Sequence, residues 1–108
     1  MLFKKKKKTI NYEPPKRSLV QFSQLRTAND EELTNFAKQI MQGIPLILNF
    51  QMLGIDEANK AMAFLSGVVY ALDGVVMQFD SKKGIMFADK KVYDDGSMKE
   101  LISEIQGN

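Results

Sequence analysis

The sequence predicts a small two-layer α/β sandwich, with elements in the order β-α-β-α-β-β and a short C-terminal helix. Three observations lead there. Asp56 to Leu72 is apolar at helical spacing, the nearly continuous apolar run Ile44 to Phe50 precedes it, and a hairpin pattern from Val75 to Ala88 follows it. At 108 residues the chain holds one domain, large enough for a single core.

Residues 1–16 read as a basic arm and residues 17–108 as the folded domain. Residues 1–17 carry seven Lys or Arg and one acid, whereas the remainder carries eight basic and twelve acidic residues. The domain is therefore mildly acidic and the arm strongly basic. In the arm, Leu2 and Phe3 precede Lys4, Lys5, Lys6, Lys7 and Lys8. Adjacent like charges repel and hold no fixed structure alone. Against an anionic membrane the two apolar side chains would dip in while the lysines face lipid phosphates, at about 1 kcal/mol per lysine before screening. The same arm also reads as a solvated tail, or as a nonspecific nucleic-acid contact made through charge alone. No basic face or aromatic interleaving on the folded part supports nucleic acid. Pro14-Pro15 then makes an extended connector.

Ser18 to Phe22 reads as the first strand. Asn29 with Glu32 three residues on forms a capping-box pattern, and Asp30, Glu31 and Glu32 suit the positive end of a helix. Leu33, Phe36, Ala37, Ile40 and Met41 give that helix one apolar stripe, and Gly43 stops it. The run Ile44 to Phe50, with Pro45 at its start, suits a strand buried on both faces. A helix between two strands predicts parallel pairing with a right-handed crossover.

The central helix, opened by Gly54 and Asp56 and closed by Asp73-Gly74, is apolar on two sides. Ala58, Ala61, Met62, Leu65, Val68, Val69 and Leu72 form the core stripe. Ala63, Gly67 and Ala71 form a second stripe of small residues, with Phe64 and Tyr70 beside it, which lets another helix approach closely. Either a second copy of the chain or the C-terminal helix can cover that side, and a dimer through it is expected. Val75 to Phe79 and Ile85 to Ala88 flank the turn Asp80 to Gly84 as a hairpin. Ser97 with Glu100 opens a last helix through Met98, Leu101, Ile102 and Ile105. The two main helices are expected on one sheet face.

The chemistry-bearing residues are few. Without Cys or His the chain has no disulfide, thiolate site, Ser-His-Asp constellation or usual zinc site. Asp94-Asp95-Gly96 lacks the spacing and closing glutamate of a calcium loop and reads as a turn. Asp56-Glu57 sits where acids stabilise a helix start, and the scattered glycines make no phosphate loop. No enzymatic activity, cofactor or metal is expected. No apolar run approaches a membrane span and no segment resembles a secretory signal, so a cytoplasmic protein is expected.

Ile47-Leu48-Asn49-Phe50, then Phe64-Leu65-Ser66-Gly67 and Tyr70-Ala71-Leu72 leading to Gly74, resemble the SepF cell-division family. The similarity extends from about Leu19 to Ala88. It implies a non-catalytic membrane adaptor that dimerises, assembles further, binds the C-terminal tail of FtsZ, and sits at the inner membrane face during septum formation. Gly74 matches the second glycine of the family's self-assembly pair, and Asp73 replaces the first. The resemblance puts the tail site on a basic residue of the third strand and an aromatic of the fourth, which align with Gln78 and Met86. Phe79 or Phe87 would then supply the aromatic surface, and Lys82 or Lys83 the charge. The other class of function compatible with the residues is a cytosolic self-associating domain whose arm binds nucleic acid.

Overall fold

The computed structural model describes residues 20–80, 82–90 and 98–107. Four short strands, β1 (Gln21–Gln24), β2 (Leu46–Asn49), β3 (Val75–Gln78) and β4 (Ile85–Ala88), form one sheet in the order β1-β2-β4-β3. β1 and β2 run parallel, with Phe22 opposite Ile47, and β4 lies antiparallel to both β2 and β3. Helices α1 (Asp30–Met41) and α2 (Ile55–Ala71) cover one face, and a shorter helix α3 (Lys99–Gly107) lies against the other.

The side-chain alternation of the strands sorts the core into two clusters. On the α1/α2 side, Leu46, Leu48 and Phe87 meet Leu33, Phe36 and Ile40 of α1 and Ala61, Leu65 and Val69 of α2. On the other side, Ile47, Met86 and Ala88 meet Met98 and Leu101, with Ile102 and Ile105 half-buried. Burying each Leu or Ile stabilises the fold by roughly 1.5–3 kcal/mol. Two helices against one explains why most of that burial lies on the first face.

The helix ends follow from their sequences. Asn29 Oδ1 accepts the Glu32 N–H at 2.8 Å, so the expected N-cap forms. Past Met41, the Gly43 N–H reaches the Ile40 carbonyl and the Ile44 N–H reaches that of Gln39, both at 3.0 Å. This is a Schellman closure with Gly43 at φ 87°. α2 closes the same way, with Asp73 N–H to Tyr70 O and Gly74 N–H to Val69 O, but here the left-handed position (φ 59°) holds Asp73.

Three expectations need correction. Among the described residues the first strand spans Gln21–Gln24 and so runs two residues past the expected end at Phe22, because the Gln21 N–H pairs with the Pro45 carbonyl and the Leu25 N–H with that of Asn49. The register on β2, more than the apolar Leu19-Val20, places it. Met41 leaves the buried stripe and is 62% exposed. The C-terminal helix does not cover the second side of α2, because its apolar residues pack on the opposite sheet face. Ser97, the turn Asp94 to Gly96, the basic arm 1–16 and the Ser18-Leu19 start of the expected first strand lie outside the described residues.

Candidate functional site

The hairpin end of the sheet is where four of the six residues expected at the tail site meet, and its backbone is held by side chains. Asp80 Oδ1 accepts the N–H groups of Lys82 and Lys83 at 3.0 and 3.1 Å, which turns the chain between β3 and β4. Gly84 follows at φ 104°, and a Cβ there would stand 2.6 Å from the Leu48 carbonyl oxygen, so the turn lies tight on β2. Asn49 ties the two together. Its Nδ2 donates to the Lys82 carbonyl at 3.0 Å while its Oδ1 accepts the Gln51 N–H at 2.8 Å. An asparagine at the end of β2 therefore fastens the hairpin turn to the neighbouring strand, using both halves of its amide.

Lys83 reaches the other way. Its Nζ donates to the Ile105 carbonyl at 2.5 Å and lies 3.8 Å from Asp80 Oδ2. A cation there satisfies one of the open carbonyls in the last turn of α3 and complements the helix dipole. Lys82 stays exposed, as does Gln78 at the end of β3. Two hollows open here. One, of about 210 Å³, lies on the α1/α2 side between Phe50, Gln51, Gln78 and Ile85. The other, of about 280 Å³, lies on the α3 side between Gln78, Phe79, Lys83, Ile105 and Gln106.

Of the residues expected at the tail site, Gln78, Phe79, Lys82 and Lys83 come together at this end. Met86 and Phe87 do not join them as surface groups. Both are fully buried, Met86 in the α3-side cluster and Phe87 in the α1/α2-side cluster, where it stacks on Phe50 at 6.3 Å. Neighbours on a strand face opposite ways, and both faces are covered, so neither aromatic surface nor thioether is presented outward. Phe79 is 9% exposed and offers only its rim. Phe50, Gln51, Asp80, Ile85, Ile105 and Gln106 also line the two hollows without being singled out by the sequence, where only the Asp80-to-Gly84 turn pattern carried a local signal for this place.

The residues expected in self-assembly divide. Ala63, Gly67 and Ala71 are exposed on the outer side of α2, flanked by Phe64 and Tyr70 at 42% and 69% exposure. Nothing lies within 4 Å of where a Gly67 Cβ would be. Gly74 is elsewhere. A Cβ on it would stand 2.3 Å from the Ala88 carbonyl oxygen and 2.9 Å from Val69 Cγ1, so the glycine is needed for α2 to meet β4.

The order of these parts has a counterpart among known proteins. The sequence model of a family described as "Cell division protein SepF" matches residues 21–92, about two thirds of the chain. The chain belongs to the SepF family. SepF relatives include the cell division protein SepF of Alkaliphilus oremlandii, 35% identical over 72 residues (67% of this chain and 49% of that protein). That of Exiguobacterium sibiricum is 30% identical over 88 residues (82% and 52%), and that of Listeria monocytogenes (strain EGD-e) 31% over 77 residues (71% and 48%). The chain spans about half the length of the SepF relatives it matches. The matched stretch covers the whole sheet, α1 and α2, and stops short of α3. Among the described residues, no group of three or more Cys, His, Asp or Glu stands ready to hold a metal, and no helix is long and apolar enough to cross a membrane.

Proposed function

We propose that this chain is a non-catalytic adaptor in cell division, which pairs through α2, takes the C-terminal tail of FtsZ at the hairpin end of the sheet, and is held at the inner membrane face by its basic arm. Family membership supports the cell-division role. The observation that carries the adaptor reading is the open outer side of α2. A helix whose Phe64 and Tyr70 are exposed beside Ala63, Gly67 and Ala71 has an apolar side that the described residues of its domain leave uncovered. A second copy seated there lets two helix backbones approach closely, and it brings two arms onto one particle.

Each arm contributes Leu2 and Phe3 with Lys4 to Lys8, a weak hold alone that pairing strengthens through effective concentration. At the other end, the hollows beside Gln78 and Phe79 support tail binding at the aligned positions.

The test is a titration of the full chain with the C-terminal peptide of its own FtsZ, alongside sedimentation with anionic vesicles. Saturable peptide binding and salt-sensitive pelleting are expected. Gly67→Leu should give folded monomers and weaken pelleting, because it fills the gap between the paired helices. A chain that ignores both peptide and vesicles but retards DNA at matched salt would instead be a nucleic-acid-binding self-associating domain.

A further inference from the structure

α3 has nine residues, fewer than the roughly 12–15 at which a helix begins to hold itself in water, so it stands only while packed on the sheet. What it packs on is rich in sulfur. Of the seven methionines in the chain, Met77, Met86 and Met98 all belong to the cluster between α3 and the sheet. Met98 sits at the start of the helix, where its carbonyl accepts the Ile102 N–H at 2.9 Å. Met77 lies under the other end, where the Gln106 amide donates to its sulfur at 3.8 Å. Met86 stands opposite Met77 on the β3–β4 ladder, so the two side chains leave the sheet on the same face.

The three sulfurs differ in access. Met86 and Met98 are 0% exposed. Met77 is half-buried, on a strand that forms the sheet edge among the described residues, and its sulfur lies at the rim beside the exposed Gln106. We propose that Met77 is a peroxide-sensitive latch, whose oxidation to the sulfoxide releases α3 from the sheet and opens Met86 and Met98 to the same reaction. The thioether sulfur attacks one oxygen of hydrogen peroxide, and an S–O bond forms as the O–O bond breaks. The departing hydroxide takes up the proton left on the new oxygen. One peroxide therefore gives one sulfoxide and one water, with sulfur oxidised by two electrons.

The consequence follows from polarity. A thioether packs as an apolar group with a weakly accepting sulfur, whereas a sulfoxide is polar and disrupts a methionine-rich interface. The new oxygen draws water to the rim of the cluster, beneath the last turn of α3. The Lys83 bond to the Ile105 carbonyl lies in that same turn and is lost with it. Once α3 lifts, Met86 and Met98 are uncovered and oxidise in turn, so the release reinforces itself. The remaining methionines do not fit this role. Met41 and Met52 are 62% and 55% exposed and hold little in place, and Met62 packs against the α1/α2-side cluster.

The experiment labels the methionine methyl groups of the full chain isotopically and follows each by NMR during treatment with hydrogen peroxide. Amide hydrogen exchange of α3 is read on the same samples. Met41 and Met52 should oxidise first and leave exchange in α3 unchanged. Oxidation of Met77 should then speed exchange across α3, and reaction at Met86 and Met98, by about tenfold or more, since a buried group reacts only through openings. Met77→Leu keeps an apolar side chain of similar volume without the reactive sulfur. In that chain Met86, Met98 and the α3 amides should stay protected under the same peroxide. Met86 and Met98 that oxidise as fast in Met77→Leu as in the unaltered chain overturn the proposal. So does an α3 that keeps its protection after Met77 is fully oxidised, or a Met77 that reacts no sooner than Met86.

Discussion

α1 and α2 lie side by side on one sheet face, yet only α1 is finished by its own residues. It has the Asn29 cap, three acids in its first turn, Lys38 in its last and Gly43 at its left-handed closing position. α2 starts at Gly54 without a side-chain cap, has no basic residue in its last turn, and closes on Asp73 in a conformation that suits glycine. Only α2 keeps Ala61, Leu65 and Val69 at 0% exposure on one side while showing Phe64 and Tyr70 on the other. α1 is stabilised by its ends, α2 by the depth of its buried side. A helix held that way can spend its outer side on something other than the fold.

Five substitutions would break or sharpen this contrast. Gly74→Val should have the largest effect, a loss of about 3 kcal/mol or more, because the new side chain meets the Ala88 backbone oxygen, which cannot move aside. Urea unfolding measures it, and an unshifted midpoint would mean that α2 can lift off β4 freely. Leu65→Ala should cost about 3 kcal/mol, whereas Phe64→Ala, one residue earlier and half-exposed, should cost under about 1. Equal losses would show that both sides of α2 serve the fold.

Asn29→Ala should cost about 1 kcal/mol by removing the cap. Asp73→Gly should have the opposite sign and raise stability by about 1 kcal/mol, since it removes the left-handed strain and a negative charge from a helix C-terminus. The exposed Asp73–Lys90 pair at 4.0 Å gives up little in exchange. A destabilised Asp73→Gly variant would show that the aspartate holds α2 in a way its backbone does not reveal.

Much of this was legible in the residues, and the failures share a cause. The α1 boundaries, both stripes of α2 and the hairpin register follow from caps and periodicity, which act within a few residues. β1 was misplaced because all four of its residues are exposed and its position depends on bonds to Pro45 and Asn49, more than twenty positions away. Met86 and Phe87 were named through the family resemblance, which carries over positions along β4 but not what covers them. α3 closes the face to which Met86 belongs, and alternation along β4 cannot report which neighbour arrives to cover it. The hollows beside Gln78 escaped notice for a related reason, since Phe50, Ile85 and Ile105 come from three separate elements.

β1 also decides how this domain answers to a pull. The chain enters the described domain through that strand, whose four side chains are exposed and whose only ladder among the described residues is to β2. Tension applied through the arm therefore arrives at the least buried element first. Drawn along the strand, it loads the parallel bonds to β2 together, in shear. Drawn sideways, it opens them one at a time, beginning at the Gln21–Pro45 bond. The resistance of the joint thus depends on the direction of the load, and β1 can yield while β2, β3 and β4, held under three helices, stay in register.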